Sequence, residues 1–191
     1  MYYIWERDAR NDTDKFFDCG LQQFDGWADA EWMFGEKITQ TLPNPLPYNA
    51  KNMMEAPDYP MVATGGGIML ISGKIASILQ GLNVPNIDYY PSVIVRPNGE
   101  IIEDYYTINI LNVIECVDFD KSDYEKRIYP RSWIPDFRKM VLDEKLIDKG
   151  ITLFRLKERR TLVAVHESIV KECEKQGVTG INFISVKKYK D

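Results

Sequence analysis

Apolar and polar positions are patterned most clearly over residues 105–124, YYTINILNVIECVDFDKSDY. In an extended chain Tyr106, Ile108, Ile110, Asn112 and Ile114 share one side, and Thr107, Asn109, Leu111, Val113 and Glu115 the other. Much of both sides is apolar, so the pattern predicts a long central strand reaching Val117 rather than an edge. Ser122 and Glu125 then have the spacing of a capping box, which predicts a helical turn.

Around this strand the chain repeats itself. Ile71-Ser72-Gly73-Lys74-Ile75…Leu79…Val84-Pro85-Asn86-Ile87-Asp88-Tyr89 aligns without a gap with Val165-His166-Glu167-Ser168-Ile169…Cys173…Val178-Thr179-Gly180-Ile181-Asn182-Phe183, at an offset of 94. Each copy reads as strand, short helix, turn, strand. In the first, Ser72 is a good N-cap and Ile75, Ile78, Leu79 and Leu82 form a helical stripe. Gly81 and Asn83 end that helix, Pro85-Asn86 turns the chain into a strand over 87–95, and Pro97-Asn98-Gly99 predicts a hairpin. In the second, a helix over 166–176 turns Ile169, Val170 and Cys173 inward, with Glu167 and Lys171 spaced as an i,i+4 pair. Gly177 suits a left-handed stop and Gly180 the turn into a strand over 181–186.

The remaining chain is less regular. Residues 2–5 read as a strand, and 16–34 as mixed short elements. Residues 39–60 hold five of the ten prolines, which predicts a long extended loop, ordered only if Leu42, Leu46, Tyr48, Met53, Met54 and Tyr59 pack on the body. Gly65-Gly66-Gly67 gives a flexible approach to a buried strand over 68–71. Pro130 and Pro135 exclude a long helix from the charged stretch after Ser122, while 140–142, 151–156 and 161–165 look like strands. The basic tail after Ser185 reads as solvated. These readings together predict an α+β fold. They describe a single domain over 1–191, with a mixed β-sheet, a duplicated strand–helix–strand unit and a long proline-rich loop.

Composition narrows the function classes. At 191 residues, 45% hydrophobic and 28% charged, the chain matches an ordinary soluble globular protein. No stretch approaches the ~20 apolar residues of a membrane span, and the first ten residues lack the pattern of a secretory signal. Cys19, Cys116 and Cys173 are odd in number and far apart, which suits buried thiols in a reducing compartment; the cytoplasm is the expected location. The net charge of −5 is uneven, because residues 1–36 carry nine acids against three bases. That sign speaks against a nucleic-acid partner.

Catalytic chemistry finds little to stand on. His166 is the only histidine, and it occupies a helix start where the first copy has Ser72. Histidine and cysteine spacing excludes a zinc site, and neither cofactor nor metal is expected. The glycines around 67 and 73 fail as a phosphate loop, because five residues rather than four separate them and Ile75 stands where Ser or Thr is needed. Glu115, Asp118 and Asp120 close the central strand, as a turn binding its own N–H groups or as an acid–base pair. The acidic first 36 residues also carry Trp5, Trp27 and Trp32. Asp25, Trp27, Asp29, Glu31 and Trp32 are therefore the candidate partner-binding residues, with aromatic anchors ringed by carboxylates.

The chain resembles immunity protein family eleven of bacterial polymorphic toxin systems. The resemblance rests on Ile71-Ser72 before the helix, Ile87-Asp88-Tyr89-Tyr90-Pro91, Tyr105-Tyr106…Leu111-Asn112-Val113…Asp118-Phe119-Asp120-Lys121-Ser122, Leu153-Phe154-Arg155-Leu156, Val163-Ala164-Val165 and Gly177-Val178-Thr179-Gly180…Phe183. It covers 68–187 well and the first 60 residues loosely, and departs at His166, where a small capping residue is expected. It implies a non-enzymatic protein that binds and neutralises a cognate protein toxin, with no binding residues to carry over, since the shared motifs look structural. Two other readings stay open: a small hydrolase using the carboxylates near Asp118, and a small-molecule or peptide sensor with the 39–60 loop as lid over a pocket lined by Tyr48 and Tyr59.

Overall fold

A computed structural model describes residues 1–8, 17–22, 32–63, 67–129 and 132–190. In chain order the elements are β1 (Tyr2–Arg7), β2 (Asp18–Leu21), β3 (Leu46–Ala50), β4 (Met61–Val62), β5 (Met69–Ser72), α1 (Gly73–Gly81), β6 (Ile87–Val95), β7 (Ile101–Ile110), β8 (Val113–Ile114), β9 (Asp123–Tyr129), β10 (Ser132–Lys139), β11 (Leu153–Leu156), β12 (Val163–His166), α2 (Glu167–Lys175) and β13 (Ile181–Ser185). The strands form a five-stranded sheet, β13-β1-β12-β11-β8, a six-stranded sheet, β4-β2-β3-β6-β7-β5, and a separate two-stranded ribbon, β9-β10. Both large sheets mix parallel and antiparallel pairs, so the class is α+β.

The two strand–helix–strand segments share topology and register. Strands β5 and β6 both pair antiparallel with β7, which lies between them, and β12 and β13 do the same with β1. Ile71 faces Tyr106 and Tyr89 faces Ile108; the positions 94 residues on, Val165 and Phe183, face Tyr3 and Trp5. Each helix is started by a side chain that accepts a backbone N–H: Ser72 from Ile75, and His166 through Nδ1 from Ser168. Asn83 at φ 51° follows α1, and Gly177 at φ 61° follows α2, where a residue without Cβ fits the left-handed turn. Glu167 and Lys171 pair at 3.1 Å. Leu82, expected on the buried stripe, is instead the cap after α1 and 39% exposed, because the helix ends before it. Ile75, Leu79, Ile169 and Cys173 meet in one core with Trp5, Ile71, Ile108, Leu153 and Val165, so both helices and strands of both large sheets share it.

The expected central strand over 105–117 is not one strand. β7 lies next to the edge of the six-stranded sheet, and after Leu111 and Asn112 the chain enters the other sheet as edge strand β8. Asn112 makes the crossing: its carbonyl accepts from Arg155 N–H at 2.8 Å, its Nδ2 donates to the Leu153 carbonyl, and its Oδ1 accepts from Asn86. Gly35, at φ 76°, lies so close beneath that a Cβ there would stand 2.8 Å from the Leu111 carbonyl oxygen.

Three further expectations change. Within 39–60 the alternation Leu46, Tyr48, Ala50 makes β3, an interior strand between β2 and β6, with Leu46 and Tyr48 fully buried. Pro47 has no N–H to give, and its carbonyl accepts from Gln22. After Ser122 the chain forms β9 instead of a helical turn, because the Ser122 hydroxyl is spent across space: it donates to the Asp118 carbonyl and accepts from Val141 N–H. The tail is not wholly solvated, since Val186 and Tyr189 fill a second core with Ile4, Phe137, Met140 and Phe154. A third core, around Leu46, Tyr48, Leu70 and Ile94, covers the other face of the six-stranded sheet. Among the described residues no helix is long and apolar enough to cross a membrane.

Candidate interaction surface

Of the five candidate contact residues, Asp25, Trp27, Asp29 and Glu31 lie outside the described residues. Trp32 is core, not surface. It is 1% exposed and stands edge-on to Tyr90 at 5.2 Å among the residues of the third core. An indole is large enough to remove ~150–250 Å2 from water, and the sheet face supplies the cover. Trp5 is also buried, edge-on to Tyr59 and Phe183.

The carboxylates at the end of β8 serve the backbone. Asp118 accepts from the N–H and the Nζ of Lys121, and the hydrogen bond from Lys121 holds its carboxyl below the usual range. Glu115 pairs with Lys157 at 2.6 Å, and Glu158 accepts from the N–H groups of Cys116 and Val117. Asp118 therefore closes a turn, with Ser122 N–H returning to its carbonyl. Cys19, Cys116 and Cys173 are free and buried, and burial pushes each thiol up to about 12. Among the described residues no group of three or more His, Cys, Asp or Glu is placed to hold a metal ion.

The loop before β4 is tied down rather than hinged. Asp58 accepts from Ser72 Oγ, Lys74 Nζ and both the N–H and hydroxyl of Thr179, joining the loop to the start of α1 and to the turn before β13. Tyr48 is buried with its hydroxyl 2.7 Å from Thr107 Oγ1; Tyr59 lines a cleft of about 390 Å3 with Arg7, Met61 and Ile68. Beneath that region lies Arg155, which sequence reasoning did not single out. Its guanidinium is fully buried and donates to the carbonyls of Gly67 and Arg160. Burial lowers its pKa to about 10, which leaves it charged at neutral pH.

The surface that stands out is the β9-β10 ribbon and the ground at its base. The ribbon's strands pair only with each other, and Arg127 with Asp136 and Arg138 with Glu125 form ion pairs across it. Phe137 and Tyr124 root it in the second core. Where β10 leaves the ribbon, Lys139 and Met140 line a cleft of about 350 Å3 with Tyr2, Leu142, Val186 and Lys187. Pro135 is tolerated within β10 because a two-stranded ribbon leaves one side of each strand without a ladder partner.

The model of the immunity protein family Imm11 matches residues 13–188. The chain belongs to this family. The match takes in the six-stranded sheet, the ribbon and every strand of the five-stranded sheet except β1, beyond the 68–187 on which the resemblance read best. No curated protein matches the chain by sequence. In this Imm11 chain the segments that carried the resemblance lie in β5, β6, β7, β8, β11, β12 and β13 and in the turns beside them, and most of their apolar residues pack in the cores. They are architectural, and the ribbon's outer end lies outside them.

Proposed function

We propose that this Imm11 chain binds a cognate bacterial toxin and neutralises it, protecting the cell that makes both, by contact rather than by catalysis. The observation that carries the reading is the family match over 13–188. The chain acts in the cytoplasm as one functional unit over 1–191, without cofactor, nucleic-acid or membrane partner. Its two strand–helix–strand segments, alike in sequence and register, are read as a duplication. Asp25, Trp27, Asp29 and Glu31 are the contact residues that charge nominates, since residues 1–36 hold nine acids against three bases. Trp32 is withdrawn from that set by its burial. The turn chemistry of Asp118 supports binding over hydrolysis, because its carboxylate is engaged by Lys121.

The test uses the reading frame beside this gene. If it encodes a large secreted protein with a variable C-terminal domain, that domain is expressed in cells with and without this chain. Protection, with a complex recovered by size exclusion, is the expected result. Death of the cells despite a folded chain, with no complex, sinks the reading.

A further inference from the structure

The ribbon has two unlike faces. Tyr124, Lys126 and Ile128 alternate onto one face of β9, across from Phe137 and Pro135 on β10, while Trp133 stands opposite Ile128 in register. At the inner end this face belongs to the core: Phe137 is 1% exposed, and Tyr124 packs against the same cluster. At the outer end Ile128 is 86% exposed. The opposite face carries Glu125, Arg127 and Asp136, tied by ion pairs. This face thus starts in the second core, passes the exposed Lys126 and ends, among the described residues, on the exposed Ile128.

A lone two-stranded hairpin is marginal in water, and its open edges are templates for further strand pairing. An exposed β-branched apolar residue on such a strand gains only when something covers it. The local charge says what kind of cover fits. Residues 123–139 hold five bases against three acids, in a chain whose net charge is −5. A basic projection on an acidic protein is complementary to a surface with carboxylates around an apolar recess. Ion pairs on the other face join the two strands, so Ile128 is presented on a paired strand rather than on a coil.

We infer that the face of the β9-β10 ribbon that carries Ile128 seats the toxin, with Ile128 entering an apolar recess on the toxin that is edged by carboxylates facing Lys126. This rests on the immunity reading and adds to it the anchoring contact and the chemistry of the partner surface. It asks for the opposite partner charge from the acidic stretch around Asp25, so the two surfaces meet different parts of the toxin and their variants separate.

The experiment is surface plasmon resonance of the full chain against the toxin domain encoded in the adjacent reading frame, with Ile128→Asp, Ile128→Val and Lys126→Glu. Because Ile128 is 86% exposed, thermal unfolding of both Ile128 variants matches the parent, and Lys126→Glu is compared with the parent after its own unfolding is measured. Ile128→Asp is expected to weaken binding about thirtyfold, mainly through faster dissociation, as for a central anchor. Ile128→Val stays within about threefold, and Lys126→Glu slows association at low salt. Binding of Ile128→Asp within about threefold of the parent overturns the proposal while leaving the immunity reading intact. If the parent chain itself neither binds nor protects, both fall together. Sedimentation of the chain alone covers the remaining occupant: if Ile128→Asp abolishes self-association and leaves toxin binding unchanged, the ribbon is a contact between copies and the proposal is wrong.

Discussion

The carboxylate of Asp58 accepts hydrogen bonds from both the N–H and the hydroxyl of Thr179, at 2.9 and 3.1 Å, across 121 residues of chain. The same carboxylate takes the Ser72 hydroxyl at 2.7 Å and Lys74 Nζ at 3.0 Å. One side chain therefore joins the turn before β13, the N-cap of α1 and the proline-rich segment. Partial burial acts to raise its pKa, but the hydrogen bonds from Ser72, Thr179 and Lys74 outweigh it, and the net shift is downward.

A carboxyl whose folded pKa lies below its unfolded one contributes stability above the unfolded value, near 3.9, and loses it as pH falls through the folded value. Asp58→Ala should therefore destabilise the chain at pH 7 by about 1–3 kcal/mol in urea unfolding, since hydrogen bonds to a charged acceptor are removed. The difference from the parent should shrink as pH is lowered below about 4. A gap that is constant from pH 7 to pH 3 would mean that the charge on Asp58 does not contribute.

Ile75 and Ile169 occupy matching positions 94 residues apart, and both are fully buried in the shared core. Truncating either to Ala should cost about 2–5 kcal/mol, and by similar amounts if the two segments pack equivalently. The measurement is the midpoint of urea unfolding at constant m-value. A cost below about 0.5 kcal/mol for either, the range of surface changes, would place that helix wrongly.

Cys19, Cys116 and Cys173 are each pushed up to about 12 by burial. The thiolate is the reactive form, so at pH 8 the folded chain should give no fast reaction with a disulfide reagent. All three thiols should titrate once guanidinium unfolds it. Prompt labelling of a native thiol would show that one of the cores opens readily.

Much of this fold was legible because spacing carries it. The cap at Ser72, the helix start at His166 and the turns at Gly99, Gly177 and Gly180 all follow from local chemistry. The crossing at Leu111 and Asn112 did not show, because the alternation continues unbroken through it and only pairing with Leu153 and Arg155 decides the sheet. β3 hid beneath its own prolines, although Leu46, Tyr48 and Ala50 alternate. Arg155 sits in an apolar strand where a charged residue ordinarily marks the solvent side, yet two backbone carbonyls accept from it in the interior. For the candidate site, sequence neighbours misled: carboxylates flank Trp32 along the chain, while its neighbours in space are Tyr90 and the third core. The ribbon's exposed face was not legible, because a strand pair that leaves the body looks the same in sequence as one that stays.

The acidic stretch remains the second place to test. With Trp32 in the core, Trp27 is the aromatic left to be flanked by Asp25, Asp29 and Glu31. If these three carboxylates steer the encounter, replacing them together with Asn, Asn and Gln should lower the association rate with the toxin domain and leave dissociation nearly unchanged. Added salt should reduce the parent's rate toward the variant's, because screening shortens the field to ~8 Å at physiological ionic strength. Trp27→Ala should do the reverse, speeding dissociation with little change in association. Stopped-flow binding across a salt series distinguishes the two, with thermal unfolding as the control on folding. The amide variant and Ile128→Asp should then be additive in free energy, since the first acts on the encounter and the second on the seated complex. Unchanged kinetics for the amide variant at low salt would remove residues 25–31 from the interface and leave the ribbon as the contact to map.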